Sequence, residues 1–306
     1  MIYVMKLTFY IGKGFFMNAK NKDRLIIVAF LVIPLLLLLV FSYYPIAKLF
    51  QLSVSDWNGM SSDINYVGIK NFKEIFTQKE LFSVFLNNMA YILTAVAQQI
   101  AGLFLAILLD SNLRGKKGFR GLIFMPYIIN GVAIAFMFNY MYDFENSPIN
   151  TFLRFVGLEN LMIHFLGANY ASNFSLSFIS FWRYVGYTMV IFLAALQSIP
   201  KDIYEAARVD GANFFQVITK ITLPNMKTMI QISLILSING ALQAYFEPFI
   251  LTKGGPSGRT DTFITKTLSL AFDYNKFGKA AAMGVILLFI ILIIVAVQQM
   301  VFKEKE

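Results

Sequence analysis

Long stretches without a charged residue constrain this chain more than any other feature of its sequence. A helix needs about 20 apolar residues to cross the hydrocarbon core of a bilayer, and six segments approach or exceed that length. Five of them carry no charge, and the sixth, Phe165 to Pro200, is interrupted only by Arg183. We therefore predict an all-α membrane protein with six transmembrane helices, at residues 25–49, 81–109, 121–142, 174–197, 225–249 and 280–302.

The composition argues against the alternative of a large soluble core. Hydrophobic residues make up 58% of the chain and charged residues 14%, whereas soluble domains carry about 25% charged residues. Buried helices of soluble proteins also rarely run past about 18 residues without a charge. We predict one membrane domain at residues 25–302, without an internal repeat or a second domain.

The distribution of positive charge predicts how the helices are oriented. Lys and Arg are concentrated before the first span, in the connections 114–120 and 201–227, and after the sixth span. Cytoplasmic loops carry such an excess, so residues 1–24 and 303–306 are predicted to be cytoplasmic segments that hold both termini. The first span lacks a small-x-small cleavage site, which indicates an uncleaved anchor, although Met17 is an alternative start.

Residue types used by many enzymes and metal sites are nearly absent. The chain has no cysteine and one histidine, His164, in a predicted loop. These counts exclude disulfides, thiolate metal sites and histidine clusters, so we predict no metal site and no catalytic residues. An ion-coupled secondary transporter stays open as an alternative. It would usually carry carboxylates inside the membrane, and in this chain none precedes Glu247 within a span.

The polar insert at residues 199–224, between the fourth and fifth spans, is more regular than a simple connection requires. Its apolar residues recur at helical spacing on both sides of Gly211. We predict two short helices in this insert, which we call the two-helix loop. Asp202 is expected to cap the first helix, Gly211 to end it in a left-handed conformation, and Asn213 to cap the second.

The side chains of the two-helix loop are typical of a surface that docks a protein. Ala206 and Ala207 allow a partner's backbone to come close, and Glu205, Arg208 and Asp210 offer charges for pairing across an interface. The alternative is an amphipathic helix lying on lipid, which would carry mainly Lys and Arg on its polar face. The acidic residues favour docking.

A longer pattern in the same loop identifies a family. Glu205-Ala206-Ala207 is followed after three residues by Gly211, and after nine more by Ile221 and Leu223-Pro224. This order resembles the EAA loop of ABC-type import permeases, through which an ATPase subunit moves the membrane helices. Asp210-Gly211-Ala212 and Ile221-Thr222-Leu223-Pro224 are similar to the carbohydrate-import branch of that family.

Matches to the same family extend over most of the chain. They are Tyr44-Pro45, Asp56-Trp57, Gly68-Ile69-Lys70-Asn71-Phe72, Phe119-Arg120 with Met125-Pro126-Tyr127, Lys253-Gly254-Gly255-Pro256, Ala271-Phe272 and Gly278-Lys279-Ala280-Ala281. The Gly-Gly-Pro turn resembles the maltose "F" type of subunit. Two positions depart from the family pattern: Lys253 stands where Gly is frequent and Asn130 where Ser is common.

The resemblance implies a subunit of an ATP-driven importer in a bacterial cytoplasmic membrane. It implies a type I ABC importer architecture with a second homologous permease, two ATPase subunits and an extracytoplasmic sugar-binding protein. This chain has no Gly-x-x-x-x-Gly-Lys-Ser/Thr phosphate-binding motif, so ATP and magnesium are expected in the partner subunits and no cofactor in this chain. The implied ATPase-coupling residues are Glu205, Ala206, Ala207, Arg208, Asp210, Gly211, Ala212 and Pro224. The implied binding-protein contacts are Trp57, Gly254, Gly255 and Pro256.

A candidate substrate path lies where the fourth and fifth spans can face one another. Arg183 precedes Gln197 by 14 residues, and Asn239 follows Asn225 by 14. At about 1.5 Å per residue, both stand about 21 Å from the inner ends of their helices. The predicted path consists of Ser180, Arg183, Tyr184 and Tyr187, which share one helix face, and of Ser237, Asn239 and Gln243 on the other helix.

These side chains favour a neutral oligosaccharide, because tyrosine rings offer flat faces to sugar C–H groups while hydroxyl and amide groups bind sugar oxygens. Arg183 keeps an acidic sugar open as an alternative. Glycerol phosphate would need several cations, and Arg183 is the only one near the middle of a predicted span. The competing interpretation is structural: Arg183 pairs with Glu247 or with backbone carbonyls to hold the helices together.

Overall fold

The computed structural model describes residues 19–111, 113–167 and 171–302. Within these ranges the regular secondary structure is helical, apart from one isolated antiparallel bridge between Ser55 and Tyr66. This confirms the prediction of an all-α protein. The predicted tail at 303–306, and most of the predicted segment 1–24, lie outside the described residues. The chain divides into two compact units, residues 1–51 and 52–306, and each is described by itself.

The first unit contains one long apolar helix. It comprises α1 (Ala19–Leu38), a π-helical turn (Leu39–Tyr43) and most of α2 (Tyr44–Ser53). Pro45 has no N–H to give to the carbonyl four residues earlier, and the N–H of Tyr44 bonds instead to the carbonyl oxygen of Leu39, five residues back. Residues Ile27–Ser53 are long and apolar enough to cross a membrane.

The second unit is built from eleven further helices within the described residues. They are α3 (Lys70–Thr77), α4 (Lys79–Asp110), α5 (Lys116–Ile128), α6 (Gly131–Met141), α7 (Pro148–Phe155), α8 (Ala171–Gln197), α9 (Lys201–Val209), α10 (Phe214–Val217), α11 (Leu223–Leu242), α12 (Phe263–Leu268) and α13 (Phe277–Phe302). Shorter turns lie at Glu159–Leu161, Ile218–Thr222, Pro248–Thr252 and Ser269–Asp273. Four stretches meet the length and hydropathy of a membrane span: Phe82–Asp110, Ala171–Gln197, Phe214–Leu242 and Phe277–Phe302.

The third predicted span, at residues 121–142, is not one straight helix. Helices α5 and α6 meet at an angle of 97° across a break of two residues. Ile129 adopts an extended conformation, and the side chain of Asn130 accepts a hydrogen bond from the N–H of Val132, at 2.8 Å, which caps the start of α6. The described residues therefore contain five long apolar helices, and six candidate spans when the bent pair is counted as one.

The fifth predicted span, at residues 225–249, ends earlier than its composition indicates. Helix α11 ends at Leu242 because side chains from elsewhere bind the carbonyls at its end. Asn88 donates hydrogen bonds to the carbonyl oxygens of Ala241 and Leu242, at 3.0 and 3.3 Å, and Thr262 donates to that of Ala244, at 2.6 Å. The chain then turns, and Glu247 lies beyond the helix.

Helix α4 is the centre of the second unit, since it packs along α8 and α11. Helix α5 lies across α8, and their backbones come very close at Gly186. A Cβ atom at that position would overlap the carbonyl oxygen of Ile123, so only glycine allows this crossing. The packing leaves polar residues of α4, α8 and α11 facing one another.

Polar side chains join the connecting segments to this bundle. Asn71, in α3, is buried and donates to the carbonyl oxygens of Ser53 and Ser55, at 2.9 and 2.7 Å. Glu74, on the same helix, forms an ion pair with Lys279 at the start of α13. The hydrogen bond from Lys279 lowers the pKa of Glu74 below its ordinary value.

Candidate functional site

A cavity of about 410 Å³ lies between α4, α8 and α11, and we call it the central cavity. Six of the seven residues predicted for a substrate path line it: Ser180, Arg183, Tyr184, Tyr187, Ser237 and Gln243. Their spacing on α8 explains the shared surface, because residues at i, i+3, i+4 and i+7 lie on one face of a helix.

Aromatic rings form one wall of the central cavity. Tyr127 of α5 stacks on Tyr187 with ring centroids 4.7 Å apart, and it meets Tyr184 edge to face at 5.9 Å. The guanidinium carbon of Arg183 lies 5.3 Å from the ring centroid of Tyr184. The Nε atom of Arg183 is buried without a hydrogen-bond partner. A ligand in the cavity would therefore meet tyrosine rings beside Arg183, whose Nε–H can still donate a hydrogen bond.

Glu247 brings a carboxylate to the same cavity. Its side chain is 6% exposed, and its Oε1 accepts a hydrogen bond from the hydroxyl of Ser180, at 2.8 Å. No ion pair within 4.0 Å joins Glu247 to Arg183 among the described residues. The structure therefore does not contain the direct Arg183–Glu247 pair of the structural interpretation.

Asn239 does not line the central cavity, although we expected it to face Arg183. It lies beside Ile291 and Gln298 of α13, and its Oδ1 accepts a hydrogen bond from Gln243, at 3.2 Å. The expectation used depth along the helix and ignored rotation around it. At 3.6 residues per turn, Asn239 is rotated by about 200° from Ser237, which does face the cavity.

The sequence analysis missed the contribution of α4. Tyr91, Thr94 and Gln98 of this helix line the cavity. Gln98 donates to the hydroxyl of Thr188, at 2.8 Å, and the hydroxyl of Tyr91 is buried without a partner. These residues stand at i, i+3 and i+7 in an uncharged span, so polar residues at helical spacing were the signal available in the sequence.

The two-helix loop has the predicted break at its middle. Helix α9 ends in a Schellman motif, because the N–H of Ala212 bonds to the carbonyl of Ala207, at 2.9 Å, and that of Gly211 to the carbonyl of Arg208, at 3.1 Å. Gly211 has φ +75°, the left-handed conformation that was expected. Asn213 begins α10 with a reciprocal capping box to Gln216.

Asp202 does not cap α9, contrary to the prediction. The helix begins at Lys201 with Pro200 before it, so Asp202 already lies inside the first turn. A carboxylate at this position still interacts favourably with the positive end of the helix dipole. Pro200 stands at the N-cap position instead, and its restricted φ fixes the backbone where the helix begins.

The two-helix loop exposes both charged and apolar side chains. Glu205, Arg208 and Asp210 are exposed, as are Ala206, Gly211 and Pro224. Four large apolar side chains are also exposed on the surface of the chain: Ile203 at 38%, Val209 at 88%, Phe214 at 66% and Phe215 at 76%. Ala207 is buried and Ala212 half-buried, so these two residues support the turn from inside.

The second half of the loop is continuous with a membrane helix. From Phe214 the chain passes through α10 and a π-helical turn into α11, and Phe214–Leu242 together qualify as one span. The hydroxyls of Tyr204 and Thr222 lie 3.3 Å apart and link α9 to this turn. A force applied to the loop would therefore reach the helix that carries Ser233 and Ser237 at the cavity.

The residues predicted to contact a binding protein differ in exposure. Pro256 is exposed, Gly255 is half-buried, and Gly254 is buried against Asp261. Burial raises the pKa of Asp261 above its ordinary value. Trp57 is half-buried, and its Nε1 donates to the carbonyl oxygen of Ser61, at 2.8 Å. Gly254 and Trp57 thus make contacts within this chain, whereas Pro256 is exposed on its surface.

Comparison with known proteins places the chain in a family. Residues 98–305 match the family described as "binding-protein-dependent transport system inner membrane component". The probable ABC transporter permease protein YurN of Bacillus subtilis is 34% identical over 289 residues, which cover 94% of this chain and 99% of that protein. The multiple sugar-binding transport system permease protein MsmF of Streptococcus mutans is 30% identical, covering 90% of this chain and 94% of that protein.

The fold also matches a solved transporter. A chain of a bacterial alginate ABC transporter, crystallised with an alginate pentasaccharide-bound periplasmic protein, superposes with a TM-score of 0.80. The match covers 92% of this chain and 94% of that one, at 23% identity. The six-span helical fold of an ABC importer permease is thereby confirmed. The chain belongs to the family of inner membrane components of binding-protein-dependent transport systems.

Proposed function

We propose that this chain is a permease subunit of an ATP-driven importer of sugars, and that neutral oligosaccharides cross the membrane through the central cavity. The observation that carries the proposal is the cavity itself, a mainly apolar space inside a bundle of this family, lined by tyrosines and by a few hydroxyl, amide and charged side chains. Tyr184 and Tyr187 supply ring faces, while Ser237 and Gln98 supply hydrogen-bonding groups. Relatives named for multiple sugars and for diacetylchitobiose support the substrate class.

The two-helix loop is the proposed contact with the ATPase subunit. Its exposed charges suit pairing across an interface, and its exposed Val209, Phe214 and Phe215 offer apolar surface that a partner could cover. The continuous path from Phe214 to Leu242 supports transmission of the ATPase movement to the cavity. ATP and magnesium are assigned to the partner subunits, since this chain lacks a phosphate-binding motif.

The assembly that we propose contains a second homologous permease, two ATPase subunits and an extracytoplasmic sugar-binding protein. In this arrangement the two-helix loop and both termini lie in the cytoplasm of a bacterial cell, and the chain spans the cytoplasmic membrane. The exposed turn at Pro256 lies on the opposite side, where it is the proposed contact for the binding protein. The cation distribution supports this orientation.

An acidic sugar is the second candidate substrate, because the Nε of Arg183 is buried at the cavity without a partner. The solved neighbour, which imports alginate, has the same fold but only 23% identity, so it does not decide the substrate of this chain. Glycerol phosphate is less suitable. Arg183 is the only cation among the described residues that line the cavity, and a phosphate would need several.

Reconstitution tests the proposed function. The chain would be purified together with the proposed second permease, ATPase subunits and binding protein and placed in proteoliposomes. Binding of labelled oligosaccharides to the binding protein identifies the ligand, and we expect ATP inside the vesicles to drive its accumulation. Accumulation that needs a sodium or proton gradient instead of ATP would support the secondary-transporter alternative and overturn the proposal.

A further inference from the structure

Two opposite charges face the central cavity, and the sequence pattern pointed to only one of them as a path residue. Among the described residues that line the cavity, Arg183 and Glu247 are the charged ones. Glu247 is held by the hydroxyl of Ser180, which precedes Arg183 by three residues on the same face of α8. Three residues of an α-helix rise by about 4.5 Å, so the carboxylate is anchored within one helical turn of Arg183.

The wall encloses both charged groups at least in part: Glu247 is buried and Arg183 is half-buried. Glu247 is 6% exposed, and the Nε of Arg183 is buried without a partner. Tyr91 is 2% exposed, lines the same cavity, and has a buried hydroxyl that also lacks a partner. Buried polar groups are usually hydrogen-bonded, so a ligand or water that enters the cavity can bond to the Nε of Arg183 and the hydroxyl of Tyr91.

We propose that Glu247 is a specificity-determining residue: its negative charge balances Arg183, so that the cavity selects uncharged polyhydroxyl substrates over anionic ones. The inference rests on the proposed function, since it treats the cavity as the substrate path. An anion placed between the two groups is attracted by Arg183 and repelled by Glu247 in the same low-dielectric space, so the two effects largely cancel. A neutral sugar loses nothing to this cancellation: its hydroxyls can donate to Glu247 and accept from Arg183 and Tyr91.

The charge balance can be measured because this chain contains no cysteine. Ser237, which lines the cavity, would be changed to cysteine in the assembled transporter. The rates of modification by negatively charged, positively charged and neutral methanethiosulfonate reagents would be read from the mass of this chain. The neutral reagent reports access and thiol reactivity, so the ratio of the negative to the positive rate reports the potential in the cavity. The same ratio for 2-mercaptoethanol in solution is the reference.

We expect the Ser237→Cys ratio to lie within about threefold of the reference, because the charges cancel. Adding Glu247→Gln should raise the ratio by about tenfold or more, and adding Arg183→Gln should lower it by a similar factor. The two variants move the ratio in opposite directions, so either one decides the question if the other fails to assemble. Asn239→Ala keeps both charges, lies outside the cavity lining, and should leave the ratio near its starting value.

A starting ratio that favours the negative reagent by more than about tenfold would overturn the inference, since Arg183 would then be unbalanced. A ratio that does not change with Glu247→Gln would also overturn it. These rates require neither a substrate nor ATP hydrolysis. If the labelling ratios show charge balance but ATP does not drive sugar uptake, only the proposed function is refuted. If ATP drives sugar uptake but the ratio does not change with Glu247→Gln, only the role of Glu247 is refuted.

Discussion

The two-helix loop and the central cavity are both polar interruptions of an apolar chain, but they are encoded in different ways. The loop is built from neighbours in sequence: the Schellman motif at Gly211 and the capping box at Asn213 follow from local residues. The cavity is assembled from α4, α8 and α11, which are far apart in the chain. A substitution in the loop should therefore change partner docking, whereas one in the cavity should change substrate passage.

The largest effect is expected in a test of topology. The end of α4, which we place on the same side as the two-helix loop, and the Gly-Gly-Pro turn should lie on opposite sides of the membrane. Ser111, at the end of α4, and Ser257, in the turn, are both exposed. We expect Ser111→Cys to react with an impermeant thiol reagent only from the cytoplasm and Ser257→Cys only from outside. The chain itself has no cysteine to interfere. Labelling of both positions from one side would refute the proposed topology.

The next largest effect is expected from Gly211→Val. A β-branched residue at φ +75° is strained by about 1–3 kcal/mol, and relief of that strain would displace α9 from α10. We expect loss of ATPase co-purification and of uptake, while the amount of membrane-inserted chain stays normal. Glu205→Lys should have the same effect by reversing a charge of the proposed interface.

Gly157 provides a matched control for this substitution. It also has φ +75°, has open space around its Cβ direction, and lies in the connection between α7 and α8. Gly157→Val introduces the same strain outside the two-helix loop, so ATPase binding should persist. Equal loss of ATPase binding in both variants would indicate general misfolding and contradict the assignment of the loop.

A smaller effect is expected in the cavity. Tyr184→Ala removes a ring face and a hydroxyl and should lower sugar uptake by about tenfold, since contacts of this size contribute on the order of 1.4 kcal/mol. ATPase co-purification should stay normal. Asn239→Ala is the matched control, because Asn239 lies on the opposite side of α11 and faces α13. If Asn239→Ala lowered uptake as much as Tyr184→Ala, the cavity would not be the path.

The all-α class and most of the two-helix loop could be predicted from the sequence. Long uncharged runs and helix caps are both determined by residues that are neighbours in the chain. Two features could not be predicted. Asn130 lies within an apolar run, so its role as the cap that separates α5 from α6 was hidden. The early end of α11 depends on Asn88, whose partner carbonyls lie more than 150 residues away.

The same limit explains the mixed outcome at the cavity. Spacing along α8 correctly grouped Arg183 with Tyr184 and Tyr187, because one helix determines that face. The direction in which Asn239 points depends on how α11 is rotated against its neighbours, which spacing along a single helix does not specify. The spacing of Tyr91, Thr94 and Gln98 marks a polar face of α4, but which cavity this face lines, and that Glu247 joins it, depends on which helices pack together.

The smallest expected effect lies outside both regions, at the ion pair between Glu74 and Lys279. Lys279 lowers the pKa of Glu74, so the pair stabilises the folded chain at neutral pH and loses this contribution as the pH falls through the lowered pKa. Glu74→Gln should reduce the free energy of unfolding at pH 7 by about 0.5 kcal/mol, as expected for a partly exposed pair. Thermal unfolding in detergent should show this difference at pH 7 and its disappearance under acidic conditions, with ATPase docking and sugar uptake unchanged. A difference that persists in acid would show that Glu74 acts through packing rather than through its charge.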